Sequence, residues 1–334
     1  MILKVGLIGA GGFGTIHAIG FSRNPNCKLV AIASRTEDHA RDLAKKFNIP
    51  NFYPGNNGWE QMIENEQLDI VSICTPNYLH APISLKAIEK DRHILCEKPI
   101  AISREELSQI ESKLIGKDLV FFTSFQKRYK QIFKLIKSVL DEEVLGRITL
   151  VRYYFSHYGP YKSWKAISEE RWFFDSKKAG GGVLLDLGVH CIDILQSLLG
   201  DYDHVDGATF STDCIDMEDE DNCSVLFRFK NGESGVISVS WCNEPLETID
   251  IFGTKGYIKV NLSEGKLSVF GPRSLRRIKP IKNLVNFRPM NELTQNMLID
   301  HFINCIQTKK QESPNFYDGK KAVEFVLDAY SFKK

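Results

Sequence analysis

Apolar and polar positions follow two different rhythms along the chain. Over the first 125 residues, short and almost continuous apolar runs alternate with stretches where apolar residues recur every three or four positions. Ile2 to Ile8, Lys28 to Ala33, Ile70 to Cys74, His93 to Cys96 and Leu119 to Thr123 predict strands. Gly14 to Arg23, Asp38 to Phe47, Tyr78 to Glu89 and Arg104 to Leu114 predict helices; Ala40, Leu43, Ala44 and Phe47 share one face of the second. Apolar strands separated by such helices predict a parallel sheet covered on both faces, with right-handed crossovers.

After about residue 125 the rhythm changes. A helix is predicted over Ile132 to Leu140. Alternating strands follow at Ser224 to Phe229 and Gly235 to Trp241, flanking the hairpin signal Asn231-Gly232, and then at Thr248 to Phe252 and Tyr257 to Val260. A long helix, Val183 to Leu199, interrupts them, and Thr294 to Gln307 and Lys320 to Tyr330 close the chain as helices. This predicts an α+β domain with a largely antiparallel open sheet. The two domains are read as 1–123 and 124–334.

Composition narrows the picture. In 334 residues, 43% hydrophobic and 25% charged residues support one or two folded domains and exclude wholesale disorder. Lys plus Arg count 43 against 42 Asp plus Glu, and this balance argues against a nucleic-acid partner. No run of about 18 apolar residues is seen, so no membrane span is expected. The N-terminus reads as a strand, not a secretory leader. None of the eight cysteines forms a Cys-x-x-Cys pair; they are expected to be reduced thiols packed as small hydrophobes in a cytoplasmic protein.

Gly9-Ala10-Gly11-Gly12-Phe13-Gly14 is a G-x-G-x-x-G run that leaves a predicted strand and opens a predicted helix, the context a dinucleotide-binding fingerprint requires. Gly9 allows the tight turn, Gly11 lets backbone approach a pyrophosphate, and Gly14 lets helix pack on strand. The N–H groups near Gly12, Phe13 and Gly14 then face the anion. Ser34-Arg35-Thr36 stands where an acid would hydrogen-bond the ribose of NAD. Hydroxyl and guanidinium suit a 2′-phosphate instead, so Ser34 and Arg35 predict NADP, with NAD as the alternative in which Glu37 or Asp38 reaches the ribose.

Candidate chemistry lies at the carboxyl ends of later strands. Cys74-Thr75-Pro76-Asn77-Tyr78-Leu79-His80 leaves one strand and Cys96-Glu97-Lys98-Pro99 the next, which places Lys98 at the sheet edge. In the third segment, Gly180-Gly181-Gly182 precedes Asp186 and His190, four apart and so on one face of a helix. Asp186, His190 and Asp193 interrupt an otherwise apolar stretch, and buried polar groups need a partner or a use. A core Asp–His pair is the plain alternative. A metal site from these three residues is a weaker one, because no fourth ligand accompanies them.

Together, Gly9 to Gly14, Thr75-Pro76-Asn77-x-x-His80, Glu97-Lys98-Pro99, Gly180-Gly181-Gly182-x-x-x-Asp186-x-Gly188-x-His190 and Gly253-Thr254-Lys255-Gly256 resemble the glucose-fructose oxidoreductase and inositol dehydrogenase (Gfo/Idh/MocA) family over nearly the whole chain. The resemblance implies a Rossmann domain, doubly wound, then an α+β domain whose open sheet forms a homodimer or homotetramer interface. It implies catalytic roles for Lys98, Asp186 and His190, and cofactor contacts that include Thr75, Pro76, Asn77, His80 and Glu97. The expected reaction is hydride exchange with a secondary hydroxyl or ketone of a sugar, sugar derivative or cyclitol. In it His190 is the general base, Lys98 steadies the alkoxide and Asp186 orients His190 or binds a substrate hydroxyl. The alternatives are a glycosidase using transient oxidation by NAD and a non-catalytic dinucleotide sensor; retention of Lys98, Asp186 and His190 weighs against the sensor.

The stretch 151–174 is rich in aromatics. Tyr153, Phe155 and Phe173 read as packing, while His157, Tyr158 and Trp164 are the candidate sugar contacts. The acidic run from Asp216 to Asp221 reads as a solvated turn and the basic run from Arg273 to Lys279 as a solvated face.

Overall fold

A computed structural model of the chain describes residues 2–162, 172–214, 217–271 and 291–333. The chain forms two compact units: Met1–Gln126 with Met290–Lys321, and Lys127–Pro289 with Ala322–Lys334.

The first unit is built on a 6-stranded parallel sheet: β1 (Leu3–Ile8), β2 (Cys27–Ser34), β3 (Asn51–Pro54), β4 (Ile70–Ile73), β5 (His93–Cys96) and β6 (Phe121–Thr123). Its order is β3-β2-β1-β4-β5-β6 and every pairing is parallel. This is the doubly wound dinucleotide-binding topology, with the order reversing between β1 and β4. Strands β4 and β6 are fully buried runs, with Ile70, Val71 and Ile73 on β4, because helices cover both faces. Those helices are α1 (Gly12–Arg23), α2 (Glu37–Phe47), α3 (Gly58–Asn65), α4 (His80–Glu89) and α5 (Arg104–Leu114). Helix α5 starts where the Ser103 hydroxyl accepts the Glu106 N–H at 3.1 Å.

The division departs from a single crossing at residue 123. Helix α8 (Asn291–Thr308) belongs to the first unit and packs along α1. Its buried Leu298, Ile299 and Phe302 need an apolar cover, and Gly20 leaves room: a Cβ there would stand 2.4 Å from Ile299 Cδ1. Sequence distance of nearly 300 residues hides this contact from any local pattern.

The second unit holds α6 (Gln131–Asp141), α7 (Val189–Leu199), the later turns of α9 (Phe316–Tyr330) and a 7-stranded sheet. Its strands are β7 (Ile148–Ser156), β8 (Tyr202–Ser211), β9 (Asn222–Phe229), β10 (Ser234–Ser240), β11 (Leu246–Gly253), β12 (Tyr257–Asn261) and β13 (Lys266–Phe270), in the order β13-β12-β11-β7-β10-β9-β8. Only β7 and β10 run parallel; the other pairings are antiparallel, as expected. Asn231-Gly232 does turn the β9–β10 hairpin, with Gly232 at φ 93°. On β9, Val225, Phe227 and Phe229 point into the core and Leu226 points out.

The premise of one other expectation is corrected here, and a second expectation is corrected outright. The span Ser176–Leu199 is long and apolar enough to cross a membrane by composition, with mean hydropathy 1.5, yet 83% of that window is buried inside the protein. Its apolar side chains, Leu185, Leu187, Ile192 and Leu195 among them, are core residues of this unit. Cys214 and Cys242 are paired in a disulfide with Cα atoms 5.9 Å apart, whereas Cys27, Cys74, Cys96, Cys191, Cys223 and Cys305 are free thiols. A 28-residue separation gave no Cys-x-x-Cys signal for that pair.

Candidate active site

In the first unit the glycine turn has the shape a diphosphate needs. Gly9 sits at φ 106°, and a Cβ there would lie 2.2 Å from the Cys74 carbonyl oxygen. A Cβ on Gly14 would lie 1.9 Å from the Gly9 oxygen, so any side chain would force β1 and α1 apart. At Gly11 and Gly12 the same construction meets nothing within 4 Å, and both residues are exposed. Helix α1 starts there with no side-chain cap on its first amides. A bare helix N-terminus beside open space fits a dinucleotide diphosphate, with the amides of Gly12, Phe13 and Gly14 as donors.

Ser34 ends β2 and Arg35 follows it, exposed. Glu37 and Asp38 lie in the first turn of α2, and both carboxylates pair with Arg41. The acids that would have to reach a ribose are thus engaged along their own helix.

Beyond β4, Thr75-Pro76 leads into a 3-10 turn, Asn77–Leu79, and then α4. His80 is buried. Its Nδ1 lies 2.6 Å from the Pro99 carbonyl and its Nε2 2.8 Å from the Thr75 carbonyl, so the ring ties the two strand-end loops together. Burial holds its pKa below the usual histidine value, opposed only in part by the two carbonyls and Glu97. Glu97 is also buried. Its Oε1 lies 2.9 Å from His17 Nε2, and His17 Nδ1 lies 2.8 Å from Ser72 Oγ. The Gln295 amide nitrogen reaches His17 Nε2 at 2.8 Å and donates to Ser124 Oγ at 3.1 Å. Burial raises the Glu97 pKa, but His17, Ser124 and the neighbouring Lys98 charge outweigh it and hold the carboxyl below its usual value.

The motif predicts cofactor contacts at His80 and Glu97; the structure turns both side chains inward. Their work is to fix the backbone that carries Thr75, Pro76, Asn77 and Lys98. Lys98 itself is half-buried at the end of β5. His17 and Gln295 had no part in the sequence reading. A histidine within an otherwise apolar fingerprint helix was the available signal for the first; nothing local marks Gln295.

In the second unit, Asp186 and His190 are not on one continuous α-helix. Leu184–Gly188 forms a π turn that runs into α7, so Asp186 stands on the wide turn and His190 on the helix proper. Such a turn is a common device at functional sites. Asp186 and His190 are both buried, and Asp186 Oδ2 accepts the Trp241 indole N–H at 3.2 Å. Asp193 is held by the Arg128 guanidinium, whose Nε donates at 3.0 and 2.9 Å and Nη2 at 2.6 Å. That ion pair is the use of the third polar position, and it removes Asp193 from the alternative metal set. Arg128 and Trp241 were missed because their partners lie 65 and 55 residues away.

The aromatic stretch divides as expected in part. Tyr153 is buried with its hydroxyl donating to Glu247 at 2.6 Å, and Phe155 lies under Lys127, whose ammonium is 3.5 Å from the ring centroid. Phe173 packs edge-on to Trp241. His157 Nδ1 accepts the Gly159 N–H at 2.8 Å, and the Tyr158 hydroxyl donates to the Glu244 carboxylate. Trp164 lies outside the described residues, as does the run from Arg273 to Lys279. The acidic run is not a solvated turn throughout: Glu220 and Asp221 are buried, at 1% and 0% exposure.

Comparison with known proteins identifies the family. Residues 3–125 match the oxidoreductase family with the NAD-binding Rossmann fold, and residues 133–259 match the GFO/IDH/MocA C-terminal domain. Levoglucosan dehydrogenase of Pseudarthrobacter phenanthrenivorans is 29% identical over 298 residues, 78% of this chain and 73% of that protein. Glucose-6-phosphate 3-dehydrogenase of Bacillus subtilis is 30% identical over 271 residues, 77% and 73% of the two chains. A solved levoglucosan dehydrogenase complex with NADH and levoglucosan superposes with a TM-score of 0.85 at 25% identity, covering 99% of this chain and 98% of that one. The chain belongs to the Gfo/Idh/MocA family of NAD-binding oxidoreductases and is an enzyme of the dehydrogenase type.

Proposed function

We propose that this enzyme oxidises a secondary hydroxyl of a sugar, sugar derivative or cyclitol, or reduces the corresponding ketone. Two observations, one within each unit, carry the reading: a bare, glycine-lined helix N-terminus, and a buried Asp186 on a π turn that runs into the helix bearing the buried His190. The nicotinamide, when bound, accepts or returns the hydride. The His190 imidazole takes the hydroxyl proton, since its ordinary pKa lies near working pH. The Lys98 ammonium supplies fixed positive charge for the developing alkoxide. Asp186, steadied by Trp241, orients the imidazole or binds a neighbouring hydroxyl. Tyr158 and Trp164 are the proposed contacts to the sugar. The relatives' names, levoglucosan and glucose-6-phosphate dehydrogenases, support a carbohydrate over a simple alcohol.

For the cofactor we propose a preference for NADP, with Ser34 and Arg35 holding the 2′-phosphate. The pairing of Glu37 and Asp38 with Arg41 supports this; the NADH in the levoglucosan dehydrogenase complex favours NAD as the second reading. Initial rates with NADP+ and NAD+ decide it. The expected result is a higher kcat/KM with NADP+ that Arg35→Ala lowers selectively. Equal efficiencies, insensitive to Arg35→Ala, overturn it. We also propose that two copies associate through the outer face of the 7-stranded sheet.

A further inference from the structure

The segment that presents Asp186 and His190 begins with three amides, of Gly182, Val183 and Leu184, at the head of the helical stretch. Amides in that position have no partner within their own helix. Here all three are taken, and by only two residues. The Tyr330 hydroxyl accepts from Gly182 N at 3.2 Å, the Glu220 carbonyl accepts from Val183 N at 2.9 Å, and Glu220 Oε1 accepts from Leu184 N at 3.1 Å. Tyr330 then donates its own proton to the same Glu220 Oε1 at 2.8 Å. Lys333 reaches Glu220 Oε2 at 3.3 Å and Asp219 Oδ1 at 3.0 Å. A carboxylate placed there also meets the positive end of the helix dipole. Two residues beyond Leu184, Asp186 N returns to the Gly182 carbonyl at 3.2 Å, so the cap and the Asp186 turn are directly linked.

The glycines record the same contact. A Cβ on Gly181 would stand 2.2 Å from the Tyr330 hydroxyl oxygen, and one on Gly182 would stand 2.0 Å from the Glu220 carbonyl oxygen. Both positions are held to glycine by the approach of these two residues.

We propose that Glu220 and Tyr330 are positioning residues for the reaction: together they cap the turn that carries Asp186 and runs into the helix bearing His190, and so set turnover without touching substrate. The inference rests on the roles given to Asp186 and His190 above. Loosening the cap displaces the proton acceptor from the reacting hydroxyl. A misplacement of about 1 Å costs on the order of 10²-fold in rate, whereas ground-state binding depends on it far less.

The test uses Tyr330→Phe and Glu220→Gln, both close in shape to the native residues, with Asp186→Asn and His190→Asn as reference variants. The substrate is whichever of levoglucosan, myo-inositol and glucose 6-phosphate the wild-type enzyme oxidises fastest. The expected result for Tyr330→Phe and Glu220→Gln is a kcat roughly tenfold to a hundredfold lower, with KM and the affinity for the reduced cofactor changed less than about threefold. The double variant is expected to be little worse than the poorer single one, as for groups acting as a unit. Wild-type kcat in both variants overturns the proposal. So does a loss of activity that tracks only the amount of folded protein. If Asp186→Asn and His190→Asn retain wild-type turnover, the catalytic reading itself fails; if they are inactive while Tyr330→Phe is normal, only the positioning role does. One measurement needs no variant and no substrate: amide exchange in the wild-type protein. Exchange at Gly182, Val183 and Leu184 as slow as in the body of α7 is expected, and exchange as fast as at an exposed turn contradicts the cap.

Discussion

At the scale of single residues, buried charges in the second unit are matched rather than left to titrate freely. Glu247 is the clearest case. Burial pushes its carboxyl up, but the ammoniums of Lys127 and Lys130 and the Tyr153 hydroxyl outweigh burial and hold it at about 2, below the usual 4.5. Burial likewise pulls Lys127 down, opposed by the same Glu247. The pair is 2.8 Å apart, and the ammonium lies over the Phe155 ring. A carboxyl whose folded pKa is depressed adds stability above its unfolded value and loses it as pH falls. The protein is therefore expected to lose stability between about 4.5 and about 2. Glu247→Gln is expected to be less stable at neutral pH and to show a flatter fall of Tm across that window. An unchanged pH slope in Glu247→Gln contradicts the assignment. Such pairs were illegible in the sequence. Lys127 and Glu247 lie 120 residues apart, and neither stands in a motif. Lys98, Asp186 and His190 stand out as candidates in the sequence because each sits at a fixed offset from glycines or proline that punctuate the backbone.

Elements were legible in proportion to how local their cause is. The helices α2, α5 and α7 carry their apolar spacing and end signals within themselves, and β1, β2, β4 and β5 are continuous apolar runs. The strands β3, β7, β8 and β13 were not anticipated. β3 and β8 are mostly exposed or half-exposed along their length, and the β7 aromatics Tyr153 and Phe155 were read as packing without being assigned to a strand. The π turn at Leu184–Gly188 was hidden as well, because its residues have ordinary helical composition. The glycine turn at the head of α1 was fully legible and yields a sharp expectation. A Cβ on Gly14 cannot be accommodated 1.9 Å from the Gly9 oxygen unless the turn opens. Gly14→Ala is expected to weaken binding of the reduced dinucleotide at least tenfold, about 1.4 kcal/mol, by fluorescence titration. Wild-type affinity in Gly14→Ala contradicts the role of this turn in holding the diphosphate.

For the whole molecule, the sequence foretold one domain of each kind but not that the chain comes back to the first. Residues 290–321 complete that unit through α8, and their apolar face is intelligible only beside α1, where Gly20 meets Ile299. The outer face of the 7-stranded sheet bears on assembly. Leu226 on β9 is 46% exposed and Phe270 on β13 is 43% exposed, beside the stacked Tyr257. Apolar groups on an open sheet face favour self-association. Leu226→Glu is expected to shift the protein toward monomer in light scattering while leaving its far-ultraviolet spectrum unchanged; a wild-type mass in Leu226→Glu contradicts association through this face. The account as a whole is tested most directly by one assay. Levoglucosan, myo-inositol and glucose 6-phosphate are each offered to the wild-type enzyme and to His190→Asn with NADP+ and with NAD+, following absorbance of the reduced nicotinamide. The predicted result is steady reduction with at least one of them, lowered roughly 10²–10⁴-fold in His190→Asn. Reduction that proceeds equally in both proteins, or none with any substrate despite tight dinucleotide binding, contradicts it.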